Sequence, residues 1–147
     1  MMRRPQGDEG SAVVEFLGVS LVLLVPLVYL VLVLGRIEAA TFAVEGAARE
    51  AAREYVRSDS PDEGAQRAIA SVGIALQDQG FTDDPADALT ITCSDDPCLT
   101  PGGDVEADVE IRVALPFVPS FVRRAVPLEV PVGAVRAAPV DSYREGG

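Results

Sequence analysis

From Phe16 to Gly35 the chain runs for twenty residues without a charged side chain, and most of them are Leu or Val. Wound as a helix rising 1.5 Å per residue, that stretch is about 30 Å long, the thickness of a bilayer's hydrocarbon core. A cleaved secretory signal carries a shorter apolar stretch of about 7–15 residues, closed by small side chains. Here bulky Val, Leu and Tyr29 fill the C-terminal half instead. No cysteine stands nearby for lipidation, and Arg3-Arg4 lacks the flanks of a twin-arginine signal. The stretch therefore predicts one transmembrane helix over residues 11–35. Pro26 interrupts its hydrogen-bond ladder and predicts a kink of the kind membrane helices tolerate. In a chain of 147 residues, one small domain is all that can be built beside such an anchor.

The rest of the chain is acidic. Net charge is −11, every basic residue is Arg, and His, Lys and Trp are absent. A surface of that sign excludes nucleic acid as a partner, since phosphate binding needs a basic face. It also argues against peripheral attachment to anionic lipid. Arg3 and Arg4 before the apolar stretch nearly balance Arg36 after it, so charge alone does not orient the span.

Ahead of the span the sequence reads Gly7-Asp8-Glu9-Gly10-Ser11-Ala12-Val13-Val14-Glu15-Phe16. One carboxylate stands at the fifth position after Gly10, about a turn inside the apolar segment. A charge at the centre of a membrane helix costs about 2.5–3.5 kcal/mol, less near the interface, so such an acid needs a partner or a purpose. Cutting the chain after Gly10 would supply one: Ser11 would gain a free amine, a cation at the depth of Glu15. The plainer alternative is a helix N-terminus whose positive end favours Glu15.

Gly10 to Phe16 followed by a long apolar helix resembles the TadE-like pseudopilins of tight-adherence (Flp) pilus assembly systems. The likeness continues through Leu34-Gly35-Arg36-Ile37-Glu38-Ala39-Ala40 and the alanine-rich run Glu45 to Arg53, and covers about residues 7–57. The all-arginine, Ala- and Val-rich composition suggests a high-GC bacterial source of actinobacterial type. Pro26 stands farther from Glu15 than the corresponding proline of many members. The resemblance implies a leader over residues 1–10, removed between Gly10 and Ser11 by a prepilin peptidase, and a role for Glu15 in assembly. It implies further partners: other pilin-like subunits, met through the hydrophobic helix, and an inner-membrane assembly platform. It also implies a cytoplasmic N-terminus with the C-terminal domain extracytoplasmic.

Beyond the span, Ile37, Ala40, Val44, Ala47, Ala51 and Tyr55 recur at three- and four-residue steps, which predicts a helical stalk over 36–57. Its small-residue face is equally suited to a neighbouring subunit and to the chain's own domain. Glu45 and Arg49 form an attractive i,i+4 pair. A domain over 58–138 follows. Ser60, Pro61 and Glu63 read as a capping box that opens a second helix, with Ala65, Ile69, Val72 and Leu76 as its buried stripe and Gly80 as its stop. Asp83, Asp84 and Asp87 lack the spacing and glycine of a calcium loop and read as a solvated turn.

Strands are expected at Leu89–Cys93, over the alternating run Val105 to Leu115, and over Val126 to Ala134. Pro127 and Pro131 demote the last to an edge. The fold class is thus α+β: a long N-terminal helix continuing into a stalk, a second helix, and a small antiparallel sheet of about three strands. Pro116 to Arg124 links the last two strands and is expected to complete the core, the alternative being an exposed patch for a partner. Residues 139–147 read as a disordered tail.

Cys93 and Cys98, the only cysteines, flank a four-residue turn. A disulfide is the favoured reading, worth about 2 kcal/mol by loop closure, and it would imply an oxidising compartment. Metal binding competes, but two cysteines without His leave a zinc site short of ligands, and a redox pair is usually spaced by two residues. Without His, the usual nucleophile–base arrangements are missing. No catalytic residue, metal site or cofactor is expected; the chain reads as a substrate of an enzyme. The leading expectation is a minor pilin-like subunit. A pseudopilin of another secretion or competence system and an uncleaved, membrane-tethered binding domain are the alternatives.

Overall fold

The computed structural model of the protein describes residues 9–125 and 128–143. The chain divides into two units, Met1–Gly35 and Arg36–Gly147. One helix, α1 (Glu9–Arg57), belongs to both and stays helical through Pro26. In the first unit it is the only described element, and no side chain from Ser11 to Gly35 is buried. It is long and apolar enough to cross a membrane.

The second unit is α+β. After α1 come α2 (Pro61–Asp78), a single turn α3 (Pro85–Ala88), β1 (Leu89–Cys93), β2 (Asp104–Ala114), a short α4 (Ser120–Ala125) and β3 (Glu129–Pro139). The strands form one antiparallel sheet in the order β1-β2-β3. β2 alternates without a break: Val105, Ala107, Val109, Ile111 and Val113 are buried and the residues between them exposed. The buried face joins one apolar cluster with Ala40, Val44, Ala47, Ala51 and Tyr55 of α1 and with Ala68, Val72 and Leu76 of α2. The alanine face of the stalk is thus covered by the chain's own domain. α2 comes close to α1 at Gly64, where a Cβ would lie 3.1 Å from the Tyr55 ring and 3.2 Å from the Tyr55 carbonyl oxygen.

The ends of α2 follow the sequence closely. Ser60 Oγ accepts from the Glu63 backbone N–H at 3.3 Å. The Glu63 carboxylate accepts from the Asp59 N–H at 3.3 Å, one residue short of the reciprocal bond a capping box makes. At the other end Gly80 sits at φ +73°. Its N–H donates to Gln77 O, and the N–H of Phe81 donates to Leu76 O, each at 2.9 Å, while both Phe81 and Leu76 are buried. This is a Schellman stop with its apolar contact.

Five expectations are corrected. The buried stripe of α2 runs through Gly64, Ala68, Val72, Gly73 and Leu76, leaving Ala65 and Ile69 at its margins. Tyr55 needs the small side of the helix at Gly64, and that rotates the stripe. Glu45 turns from Arg49 to Arg136 of β3, 3.5 Å away. β3 starts later than expected and runs on to Pro139, with Val126 and Pro127 outside the described residues. Arg136 sits on the helix-facing side opposite Ala107 and hides the alternation that Ala138 resumes. The region read as a tail starts inside the fold: Val140 is buried, donates to Gly103 O at 2.8 Å and accepts from Gly102 N at 3.2 Å. Residues 144–147 lie outside the described residues.

Finally, the link between β2 and β3 does not complete the core. None of α4 is buried, and Phe117 and Phe121 are 79% and 68% exposed.

Candidate functional site

Three places carry the residues singled out by the sequence. The first is the start of α1. The leader's residues 1–8 lie outside the described residues, while Glu9 and Gly10 already belong to the helix. Ser11 and Glu15 are both exposed. Four residues apart on one helix, they share a face, and Gly18 continues that face a further turn along. A Cβ at Gly18 would meet nothing within 4 Å. The carboxylate is therefore flanked by small residues on its own strip, with room for another surface to approach. An amine on Ser11 would be an i,i+4 neighbour of Glu15. Because the helix includes Gly10, a protease that takes extended backbone must first unwind this turn. Gly10 lowers that cost, since glycine is among the weakest helix formers.

The second place is the loop between β1 and β2. Cys93 and Cys98 are joined in a disulfide with Cα atoms 5.2 Å apart. The loop is laced beneath it. Ser94 N donates to Asp104 O at 3.0 Å, Asp104 N donates to Ser94 Oγ at 2.8 Å, and Ser94 Oγ donates to the Asp95 carboxylate at 2.6 Å. Gly103 fits because a Cβ there would come within 2.7 Å of Asp95 Oδ2. The pair is therefore structural in its surroundings. No group of three or more metal-ligating side chains occurs among the described residues.

The third place joins the acids of the turn to the sheet. Asp83, Asp84 and Asp87 line a hollow together with Glu110, Ile111 and Arg112. Asp84 is committed there as the N-cap of α3, accepting from Ala86 N at 2.9 Å.

Two features escaped the sequence reading. Arg36, counted only as a flanking charge, donates to Gly80 O at 3.0 Å and Gln79 O at 3.4 Å and lies 4.1 Å above the Phe81 ring centre. It thus caps the negative end of α2. An open hollow of about 540 Å³ also lies between α1 and α2, lined by Glu50, Glu54, Arg67, Ala70 and Ile74 among others. Ile74 is 64% exposed there. Its position off the α2 stripe was the available signal. Arg67 bridges the mouth, 2.7 Å from Glu63 and 4.0 Å from Glu54.

Compared with known proteins, the chain matches no family model, no curated protein and no solved structure.

Proposed function

We propose that this chain is a minor, pilin-like subunit of a tight-adherence pilus assembly machine, made as a precursor and cut between Gly10 and Ser11 by a prepilin peptidase. The observation that carries the reading is the strip at the head of α1. Ser11, Glu15 and Gly18 follow one another on one face of an apolar helix, with the carboxylate one turn from the amine that cleavage would create. In an apolar surrounding, that amine and Glu15 neutralise each other within a subunit or between neighbours. The closed Cys93–Cys98 disulfide supports placing the second unit in an oxidising compartment, hence outside the cytoplasm with the N-terminus inside. In this role the chain acts on nothing. It is processed, and it meets other subunits and the membrane platform through its apolar helix.

The helical start at Glu9 favours a second reading, an uncleaved anchor that tethers the outer domain. Intact mass of the membrane-extracted protein separates the two, measured with and without a co-expressed prepilin peptidase and with a control prepilin alongside. Loss of residues 1–10 only when the peptidase is present is the expected result. Glu15→Ala should leave that cut in place and abolish recovery with assembled partners. A full-length mass beside a processed control would leave the tether as the function.

A further inference from the structure

The exposed link between β2 and β3 is the largest departure from what the fold needs for itself. Phe117 is held at φ +58°, a conformation that side chains of its bulk rarely take. It projects into solvent, as does Phe121 at the start of α4, with Val118 and Val122 half-buried beside them. Arg123 and Arg124 follow, and from Pro116 to Ala125 there is no acid, in a chain of net charge −11. Aromatic side chains beside arginines are the composition that settles at the boundary between lipid headgroups and acyl chains.

The position of this tip within the second unit points the same way. Arg36, one residue beyond the apolar stretch, is bonded to Gly80 at the end of α2. The chain then passes through Asp83 to Asp87, which lie beside Glu110 to Arg112 of β2. β2 is therefore already at the Arg36 end of the unit at Arg112, and it runs on to Ala114 before the tip begins. A second measure agrees. Arg136 meets Glu45, which lies nine residues, about 14 Å, along α1 from Arg36. From Arg136 back to Glu129 is seven residues of strand, about 23 Å. Even with the strand tilted against the helix, the tip reaches the level of Arg36. Four acids at this end, Asp83, Asp84, Asp87 and Glu110, line the hollow beside Arg112, and Glu129, at the start of β3 opposite Ala114, stands after the tip.

We infer that the Phe117–Arg124 tip is a second membrane contact, inserting its two phenylalanines at the headgroup–acyl boundary of the bilayer that α1 crosses, with Arg123 and Arg124 on lipid phosphates. The inference rests on α1 spanning that bilayer. The contact would hold the outer unit against the membrane surface, so the tip would have to be withdrawn before the subunit leaves the bilayer for a filament.

The chain has no tryptophan, so one can be placed as a single probe. Three full-length variants, Phe117→Trp, Tyr29→Trp and Arg53→Trp, would be reconstituted in vesicles of phosphatidylcholine and phosphatidylglycerol with brominated acyl chains. Expected are strong quenching at residue 29 by deep bromines, quenching at 117 chiefly by shallow ones, and none at 53. Quenching at 29 without quenching at 117 overturns the tip contact and leaves the span. No quenching at 29 overturns the span and the contact with it. A blue-shifted but unquenched residue 117 shows the tip covered by protein, which also overturns the inference.

Discussion

At the scale of single residues, Tyr55 links helix packing to pH. It is buried against Gly64, and burial, with the Asp62 carboxylate adding to it, pushes its phenol above the usual tyrosine value. A raised pKa means that the unfolded chain ionises first. Stability from this group is whole below about pH 10 and falls as pH climbs from there through the folded-state value. The chain suits the test because it has no lysine, both cysteines are locked, and Tyr55 is one of only three tyrosines. Urea midpoints of the detergent-solubilised protein should decline above about pH 10. In Tyr55→Phe the decline should flatten, and an unchanged slope would remove Tyr55 as its source. Residue-scale roles were legible where they depend on neighbours in sequence, as at Ser60 and Gly80. They were hidden where the partner is remote: nothing near Arg36 announces Gly80, and nothing near Glu45 announces Arg136.

Among the elements, β1 and β2 were readable because each alternates over its length with no charge on the buried side. β3 was misplaced because Arg136 interrupts its buried face and finds its partner on α1. α4 was misjudged for the opposite reason: its apolar residues predict burial, and none of them is buried. The loop between β1 and β2 carries the element-scale prediction. It closes a short ring, so Cys93→Ser should cost about 2 kcal/mol by loop-closure arithmetic, read as a lower denaturant midpoint with unchanged slope. A midpoint equal to that of the parent would show that the bonds from Ser94 to Asp104 and from Val140 to Gly103 hold the loop alone.

For the whole molecule, the sequence left one question open: whether the alanine face of α1 serves a neighbour or its own domain. Periodicity shows that a face exists and is silent on what covers it; here β2 and α2 do so. Eight of the twenty buried apolar residues among those described come from Ala40 to Tyr55. A chain beginning at Ser58 should therefore show no cooperative unfolding, while one beginning at Arg36 should unfold in a single transition. Equal behaviour of the two by circular dichroism would mean that the helix is an accessory to the core. The same feature bears on timing during synthesis. Residues 40–55 emerge long before Val140, roughly a hundred residues later, and at about 5–20 residues per second they wait some 5–20 s for their partners. A face of leucines exposed for that long would invite misassociation. A face of alanines, each offering little apolar area, can wait for the last strand to arrive.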